Sequence, residues 1–275
     1  MRTRAVPFLL ATLLLAPTLA GCQKFKARTH FKEGNQFYRA EKYEAAVNEY
    51  QAGLKLDPEA RQIWRSVGLA SMVLYKPGDE SKSNLAWAKT SMDAFEKYKL
   101  AFPDDPKTDE YIITTLVNMQ KWDDAIAKLK AKATAKPEIK NEIDGQIFSI
   151  LLRADRIEAA YDHVIKSGGA KPDPERLYTV GVNCWSKSYR DPTLSLEARA
   201  KMVELGMTAL TTADRIKPED FQTMVYINLL YREKAKLETD PYVAQDYYTK
   251  AQEWLDRAKA IRERQKAAAA KPAGS

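Results

Sequence analysis

Side chains that could do chemistry are scarce in this sequence. Its 275 residues include two histidines, His30 and His163, and two cysteines, Cys22 and Cys184. The motifs HExxH, CxxC and GxSxG do not occur. Because a catalytic or metal site needs several convergent groups, the sequence predicts no enzyme active site, no metal site and no bound cofactor. We expect both histidines to lie alone on the surface and Cys184 to pack between helices as a small apolar side chain.

Cys22 stands in a pattern that predicts a covalent modification. A basic start precedes an apolar run from Ala5 to Ala20, which is shorter than the roughly 20 residues that span a bilayer as a helix. The run ends in Leu19-Ala20-Gly21-Cys22, which resembles the lipobox of bacterial lipoproteins. The resemblance implies that residues 1–21 are a cleaved signal peptide and that the sulfur of Cys22 carries lipid. The alternative is an ordinary signal peptide followed by an incidental cysteine.

The lipoprotein resemblance also implies a location. Gln23 follows the lipid site, and in bacteria with two membranes a residue other than Asp at this place implies export to the outer membrane. We therefore expect a protein that is lipid-anchored in the bacterial envelope and, where the host has two membranes, faces the periplasm from the outer membrane.

The positive charge of the chain is concentrated at its C-terminus. The formal charge is +7, from 44 basic and 37 acidic residues. Residues 257–275 carry +5 of it, whereas residues 22–256 are formally neutral. A neutral body argues against a nucleic-acid partner. Residues 266–275 are expected to form a disordered, basic and alanine-rich tail, which is either solvated or in contact with anionic lipid head groups.

The spacing of prolines predicts the helices that make up the rest of the chain. Intervals of 45, 34, 35 and 46 residues separate five prolines, and two columns of residues recur before them. Twelve residues before each proline the side chain is small, and eight residues before it is apolar. Small residues let two helices approach, and the large residue fills the groove between them. The prolines are Pro58, Pro103, Pro137, Pro172 and Pro218; the small column is Ala46, Ser91, Ala125, Ala160 and Gly206, and the apolar column is Tyr50, Phe95, Leu129, Val164 and Leu210.

A period near 34 residues with this pattern resembles the tetratricopeptide repeat (TPR) family. The first segment carries the resemblance best, through Gly34, Ala46, Tyr50, Gly53 and Pro58. The resemblance implies an all-α fold, a right-handed TPR-type α-solenoid of five to six helix pairs over residues 22–265. The expected repeats are 27–58, 61–103, 107–137, 140–172, 175–218 and 219–265, with insertions at 76–84 and 190–200.

Two repeats depart from the family pattern. Ile113 and Phe148 stand where the third and fourth repeats would have Gly or Ala. We expect the helices of these repeats to be further apart or to be shifted by a residue.

In TPR proteins the first helix of each repeat lines a concave groove that binds a partner. The resemblance places nine residues of this chain in such a groove, and their cationic, amide and aromatic side chains suit an extended peptide or a helix. The alternative is that they are ordinary half-exposed residues. The nine are Arg28, Phe31, Asn35, Tyr38, Arg39, Asn118, Arg153, Tyr178 and Trp185.

The sequence therefore favours a membrane-anchored scaffold lipoprotein that mediates protein–protein interaction in the cell envelope. Small TPR lipoproteins of the BamD and PilF types, which serve the assembly of outer-membrane or pilus and secretion complexes, have a similar length, lipobox and repeat number. The alternative is an envelope lipoprotein that binds polysaccharide or peptidoglycan through aromatic side chains. An enzyme or a small-molecule binder would need a cluster of titratable groups that the motifs do not predict.

Overall fold

The computed structural model describes residues 16–269, with side chains for residues 21–268. Within that part of the chain the secondary structure is helical, without strands, which confirms the all-α expectation. Residues 16–269 form twelve α-helices that follow one another as six pairs, and a 3₁₀ turn at Pro137–Ile139 precedes the fourth pair. The helices are α1 Ala16–Arg39, α2 Tyr43–Leu56, α3 Ile63–Leu74, α4 Lys82–Ala101, α5 Pro106–Asn118, α6 Trp122–Ala135, α7 Lys140–Arg153, α8 Ile157–Gly168, α9 Pro174–Arg190, α10 Leu196–Ile216, α11 Phe221–Leu237 and α12 Pro241–Ala269.

The chain divides into two compact units, the first ending at Leu129 and the second beginning at Lys130. Both units use the same close contact inside a helix pair, in which a glycine of one helix faces a large side chain of the other. A Cβ atom on Gly68 would lie 2.6 Å from Cε1 of Phe95 in the first unit. On Gly181 it would lie 2.3 Å from Cγ of Leu210 in the second unit. The absence of a side chain on these glycines therefore sets the distance between the two helices.

Three helix pairs are joined by the same tight turn. In α1–α2, α5–α6 and α7–α8 the middle linker residue is left-handed, namely Glu41, Gln120 and Asp155, with φ values of 58°, 56° and 57°. After each of these residues, a backbone N–H donates a 2.9 Å hydrogen bond to a carbonyl five residues earlier, as Lys42 does to Phe37. Hydrogen bonds compensate for the unusual backbone conformation, so the turn forms without glycine.

The second and fifth pairs have longer connections, in the regions where insertions were expected. The loops cover residues 75–81 and 191–195, and the helices that follow them have 20 and 21 residues, compared with 14 in α2. The extra residues are therefore shared between loop and helix. One side chain from the following helix holds each loop. Asn84 hydrogen-bonds Lys76 N–H and two loop carbonyls, and the Arg199 guanidinium donates to the carbonyls of Ser188 and Asp191.

The third and fourth repeats differ from the others at the expected place. Ile112 is fully buried, whereas Ile113, the residue aligned with Gly34, is only half-buried. In the fourth repeat both Ile147 and Phe148 are buried. In the third repeat, the residue buried on α5 is therefore Ile112, one position before the residue aligned with Gly34. This is the one-residue shift that the sequence predicted as one of two alternatives.

The structure describes only part of the signal peptide and of the tail that the sequence predicts at the two ends of the chain. Residues 1–15 of the expected signal peptide lie outside the described residues, and Cys22 is exposed on α1. The helix α12 continues through Ala269, four residues into the expected tail, and residues 270–275 lie outside the described part. None of the described helices combines the length and apolarity that a membrane span requires.

Candidate functional site

In the first unit, an arginine and a tyrosine from neighbouring first helices form one end of a candidate binding surface. Arg65 on α3 donates a hydrogen bond of 3.3 Å from Nη2 to the hydroxyl of Tyr111 on α5. Its guanidinium carbon also lies 5.7 Å from the centroid of that ring. Tyr111 in turn stacks on Phe95, with centroids 5.2 Å apart. A core ring therefore orients Tyr111, and Tyr111 orients the Arg65 side chain.

The other end of this surface comes from α1. Asn35 accepts a 2.8 Å hydrogen bond at Oδ1 from the hydroxyl of Tyr50, the buried ring that packs on Gly34. Tyr38 meets Tyr43 edge to face at 5.2 Å. Burial raises the pKa of Tyr38, and the nearby Tyr43 and Tyr111 raise it further. We define the polar surface as Asn35, Tyr38, Arg39, Arg65 and Tyr111.

In the second unit the corresponding helices carry rings instead of hydrogen-bonded polar groups. Tyr226 on α11 meets Tyr178 and Trp185 of α9 edge to face, with centroids 5.6 and 5.4 Å apart. Trp185 stacks nearly parallel on Tyr189 at 5.3 Å. The Lys236 ammonium lies 5.2 Å from the Tyr189 centroid. We define the aromatic surface as these five residues.

Three rings of the aromatic surface pack against the core, and the fourth ring, Tyr189, is exposed to solvent. Tyr178, Trp185 and Tyr226 pack against the cluster around Leu210, Ile227 and Leu230, and each is half-buried. Tyr189 is 55% exposed. Burial raises the pKa of Tyr178, with further contributions from Tyr226, Asp220 and Glu175, so this phenol stays neutral at physiological pH. The surface offers rigid aromatic contact area, and its lysine, Lys236, is ion-paired with Glu233 at 2.6 Å. Aromatic residues of this kind are enriched in protein-binding patches.

The structure corrects one of the nine residues that were predicted to line a groove. Phe31 is only 9% exposed, and its ring fills the space above Gly53, where a Cβ atom would lie 2.3 Å from Cε1 of Phe31. Phe31 is therefore a core residue that joins α1 to α2. The missing side chain of Gly53, on the facing helix α2, creates the space that the ring occupies.

The other predicted residues are divided between the surfaces and other places. Asn35, Tyr38 and Arg39 belong to the polar surface, and Tyr178 and Trp185 belong to the aromatic surface. Arg28 is exposed on α1. Asn118 and Arg153 are the last residues of α5 and α7, half-buried and exposed respectively, and neither belongs to a surface as defined above.

Sequence reasoning missed five residues of these surfaces, namely Arg65, Tyr111, Tyr189, Tyr226 and Lys236. Arg65 occupies the repeat position that Phe31 has in the first repeat, so applying the same rule to the second repeat would have found it. The sixth repeat has a divergent pattern, and nothing in the sequence aligns Tyr226 with Tyr178.

Histidine and cysteine side chains are less isolated than the sequence suggested. His30 Nδ1 is 2.7 Å from Glu49 Oε2. His163 Nε2 is 3.1 Å from the carbonyl oxygen of Asp144. The two residues line a cleft of about 570 Å³ together with Lys130, Lys140 and Lys166. Burial lowers the pKa of His163, although Asp144 opposes the shift. Cys184 is buried, as expected, and burial raises the pKa of its thiol to about 12.

Comparison with known protein families gives a match for one segment of the chain. Residues 34–72, in the first unit, match the family described as TPR repeat. Among curated proteins, none has a sequence that matches this chain.

Three solved structures are similar to the chain at low sequence identity. A MamA RS-1 double mutant and MamA from Desulfovibrio magneticus RS-1 are each 13% identical, with 87% of this chain covered, 96% and 97% of theirs, and TM-scores of 0.32. A third MamA structure is 12% identical, with 91% of this chain and 98% of that chain covered and a TM-score of 0.31. At TM-scores this low the likeness says nothing about the function of this chain.

Proposed function

We propose that this TPR-containing chain is a scaffold that binds protein segments and that a lipid at Cys22 anchors it in the bacterial cell envelope. The aromatic surface is the observation that carries the proposal. Its rings are held by each other and by the core, so little side-chain entropy is lost when a partner binds. Rigid Tyr and Trp side chains beside a cation are typical of the residues that dominate binding energy in protein interfaces. The proposal includes no catalytic step.

The charges indicate the chemistry of the partner. Arg39 and Arg65 belong to the polar surface of the first unit, whereas Lys236, beside Tyr189 in the second unit, already pairs with Glu233. We therefore expect protein segments that combine apolar side chains with Asp or Glu. Carboxylates of such a segment would pair with the guanidinium of Arg65 in bidentate geometry.

Crosslinking in the native host tests the interaction. A photoreactive phenylalanine analogue at Tyr189 should capture a protein from membrane fractions, and Trp185→Ala should reduce the capture about 30-fold, the effect of losing a central hot spot worth about 2 kcal/mol. Tyr242→Ala is the matched control, because Tyr242 is 86% exposed in the same unit and outside the aromatic surface. Equal capture by the Trp185 and Tyr242 variants would contradict the proposal.

The identity of the captured protein tests the finer role. We propose a part in the assembly of an outer-membrane complex or of a pilus or secretion complex. Recovery of barrel-assembly or secretin components would support it. An exposed ring also suits sugars, so cosedimentation with purified peptidoglycan or exopolysaccharide is the second measurement. Loss of that binding in Trp185→Ala, without any captured protein, would favour the polysaccharide-binding alternative.

The lipid anchor is tested separately. Its support is the order of basic start, apolar run, small residues and cysteine in residues 1–22, and the exposure of Cys22 on α1. Labelled palmitate should be incorporated into the chain, and Cys22→Ala should abolish the incorporation and move the protein from the membrane fraction to the soluble fraction. Cys184→Ala is the control with the other thiol removed. Unchanged fractionation of Cys22→Ala would contradict the anchor and leave the binding surfaces unaffected.

A further inference from the structure

The first helix pair brings together three side chains that the proposed function does not use. His30 and Glu33 lie three residues apart on α1, and therefore on one face of it, and Glu49 lies on the facing helix α2. His30 Nδ1 is 2.7 Å from Glu49 Oε2. One nitrogen or oxygen atom from each of the three residues lies within 4.8 Å of the other two. Two helices thus converge on one imidazole and two carboxylates.

The charges around this cluster are unbalanced. Among the ion pairs of the described residues, Glu49 pairs with His30, and neither Glu33 nor Glu49 pairs with a lysine or arginine. The Glu49 side chain is 26% exposed and Glu33 is exposed, so both carboxylates remain open to ions from solution. One imidazole cannot neutralise two carboxylates, whereas a divalent cation can.

The donor set indicates the class of ion. Imidazole nitrogen together with carboxylate oxygen suits zinc and its neighbours, whereas calcium and magnesium prefer oxygen ligands alone. Ligand atoms around tetrahedral zinc are about 3.4 Å apart. A cluster within 4.8 Å reaches this spacing by side-chain rotation, without movement of either helix.

We propose that His30, Glu33 and Glu49 bind one divalent transition-metal ion of the zinc class, with water in the remaining coordination position, and that the ion ties α1 to α2. This site differs from the sequence expectation of no metal, because its ligands come from two helices and no sequence motif joins Glu49 to the other two. Coordination across the pair stabilises the first unit, since the ion binds the folded arrangement and not the unfolded chain.

Zinc titration of the untagged full-length chain tests the site. Every sample carries Cys22→Ser, so that the exposed thiol cannot bind metal. Calorimetry should give one zinc ion per chain, and His30→Ala should weaken binding at least about 100-fold, since loss of even an outer-shell partner costs about 10- to 100-fold. His163→Ala is the matched control, because it removes the only other histidine, and it should bind zinc as the parent does.

Two further readouts keep the test independent of folding. Glu49→Gln preserves shape and should weaken zinc binding while the far-ultraviolet circular dichroism stays unchanged. Zinc should raise the melting temperature of the parent and of His163→Ala, but not that of His30→Ala. Absence of stoichiometric binding, or equal binding by the His30→Ala and parent chains, would overturn the proposal.

Discussion

In the first unit the candidate surface is ordered by hydrogen bonds, with Arg65 fixed on Tyr111 and Asn35 fixed on Tyr50. In the second unit it is ordered by ring contacts among Tyr178, Trp185 and Tyr226. The helix pairs beneath both surfaces pack in the same way, through glycines that face large side chains. The comparison teaches that a repeated core constrains the backbone but leaves the exposed positions free to vary, so one architecture can hold two surfaces of different chemistry.

The largest expected difference between the units concerns their thiols. Cys22 is exposed, whereas burial raises the pKa of Cys184 to about 12 from an ordinary 9.0. At pH 7.5 iodoacetamide should therefore modify Cys22 of the unlipidated chain at least about 1000-fold faster than Cys184, because only the thiolate reacts. In urea the two rates should converge. Similar rates in the folded protein would contradict the burial of Cys184.

The same thiol predicts a pH effect on the second unit. The pKa of Cys184 is higher in the folded state than in the unfolded state, so above about pH 9 the unfolded chain releases a proton that the folded chain retains. The free energy of unfolding should therefore fall as the pH rises from 9 toward 12. Cys184→Ala should reduce this dependence in denaturant titrations.

The shared glycine contacts predict a similar loss of stability in both units. Gly68→Ala and Gly181→Ala place a methyl group against Phe95 and Leu210, and each should lower the free energy of unfolding by about 2–3 kcal/mol. Gly145→Ala is the control within a helix, because its Cβ would meet only the flexible end of Arg176, at 3.2 Å. It should stabilise by about 0.5–1 kcal/mol through helix propensity. Equal melting temperatures for the Gly181 and Gly145 variants would contradict the packing role.

Removing the side chains that hold the two long loops should lower the free energy of unfolding by less than the glycine substitutions do, and by different amounts for the two loops. Asn84 is buried and makes three hydrogen bonds to its loop, so Asn84→Ala leaves main-chain groups unpaired and should cost about 2 kcal/mol. Arg199 is more exposed, so Arg199→Ala should cost about 1 kcal/mol. Limited proteolysis should then cleave residues 75–81 faster than 191–195. Asn48→Ala, on the exposed side of α2, is the control and should have no effect.

The smallest expected difference is in the salt dependence of binding. Raising sodium chloride from 50 to 500 mM should reduce crosslinking to the polar surface several-fold, because salt screens the exposed charge of Arg39 and the half-buried charge of Arg65. Crosslinking at Tyr189 should change less than about twofold, because ring contacts are apolar. Equal salt dependence at the two surfaces would remove the distinction between them.

The fold was more predictable than the binding surfaces, for physical reasons. Prolines, small residues and the large residues near them report on contacts within one helix pair, and these are local in sequence. Phe31 was misplaced because its burial depends on Gly53, which lies on the next helix. Tyr226 joins Tyr178 only after α9 and α11 have been placed side by side. Glu49 reaches His30 across two helices, so no spacing rule indicated that pair.

In most of the helix pairs a helix packs on the next one in the chain, and this affects how the protein can fold. Residues that contact each other in a pair such as α1 and α2 are close in sequence, so the entropy lost in closing the intervening turn is small. Chains with mainly local contacts fold in microseconds to milliseconds. A pair can therefore form as soon as its two helices have emerged, before the rest of the chain follows, and a chain delivered N-terminus first buries its apolar faces progressively.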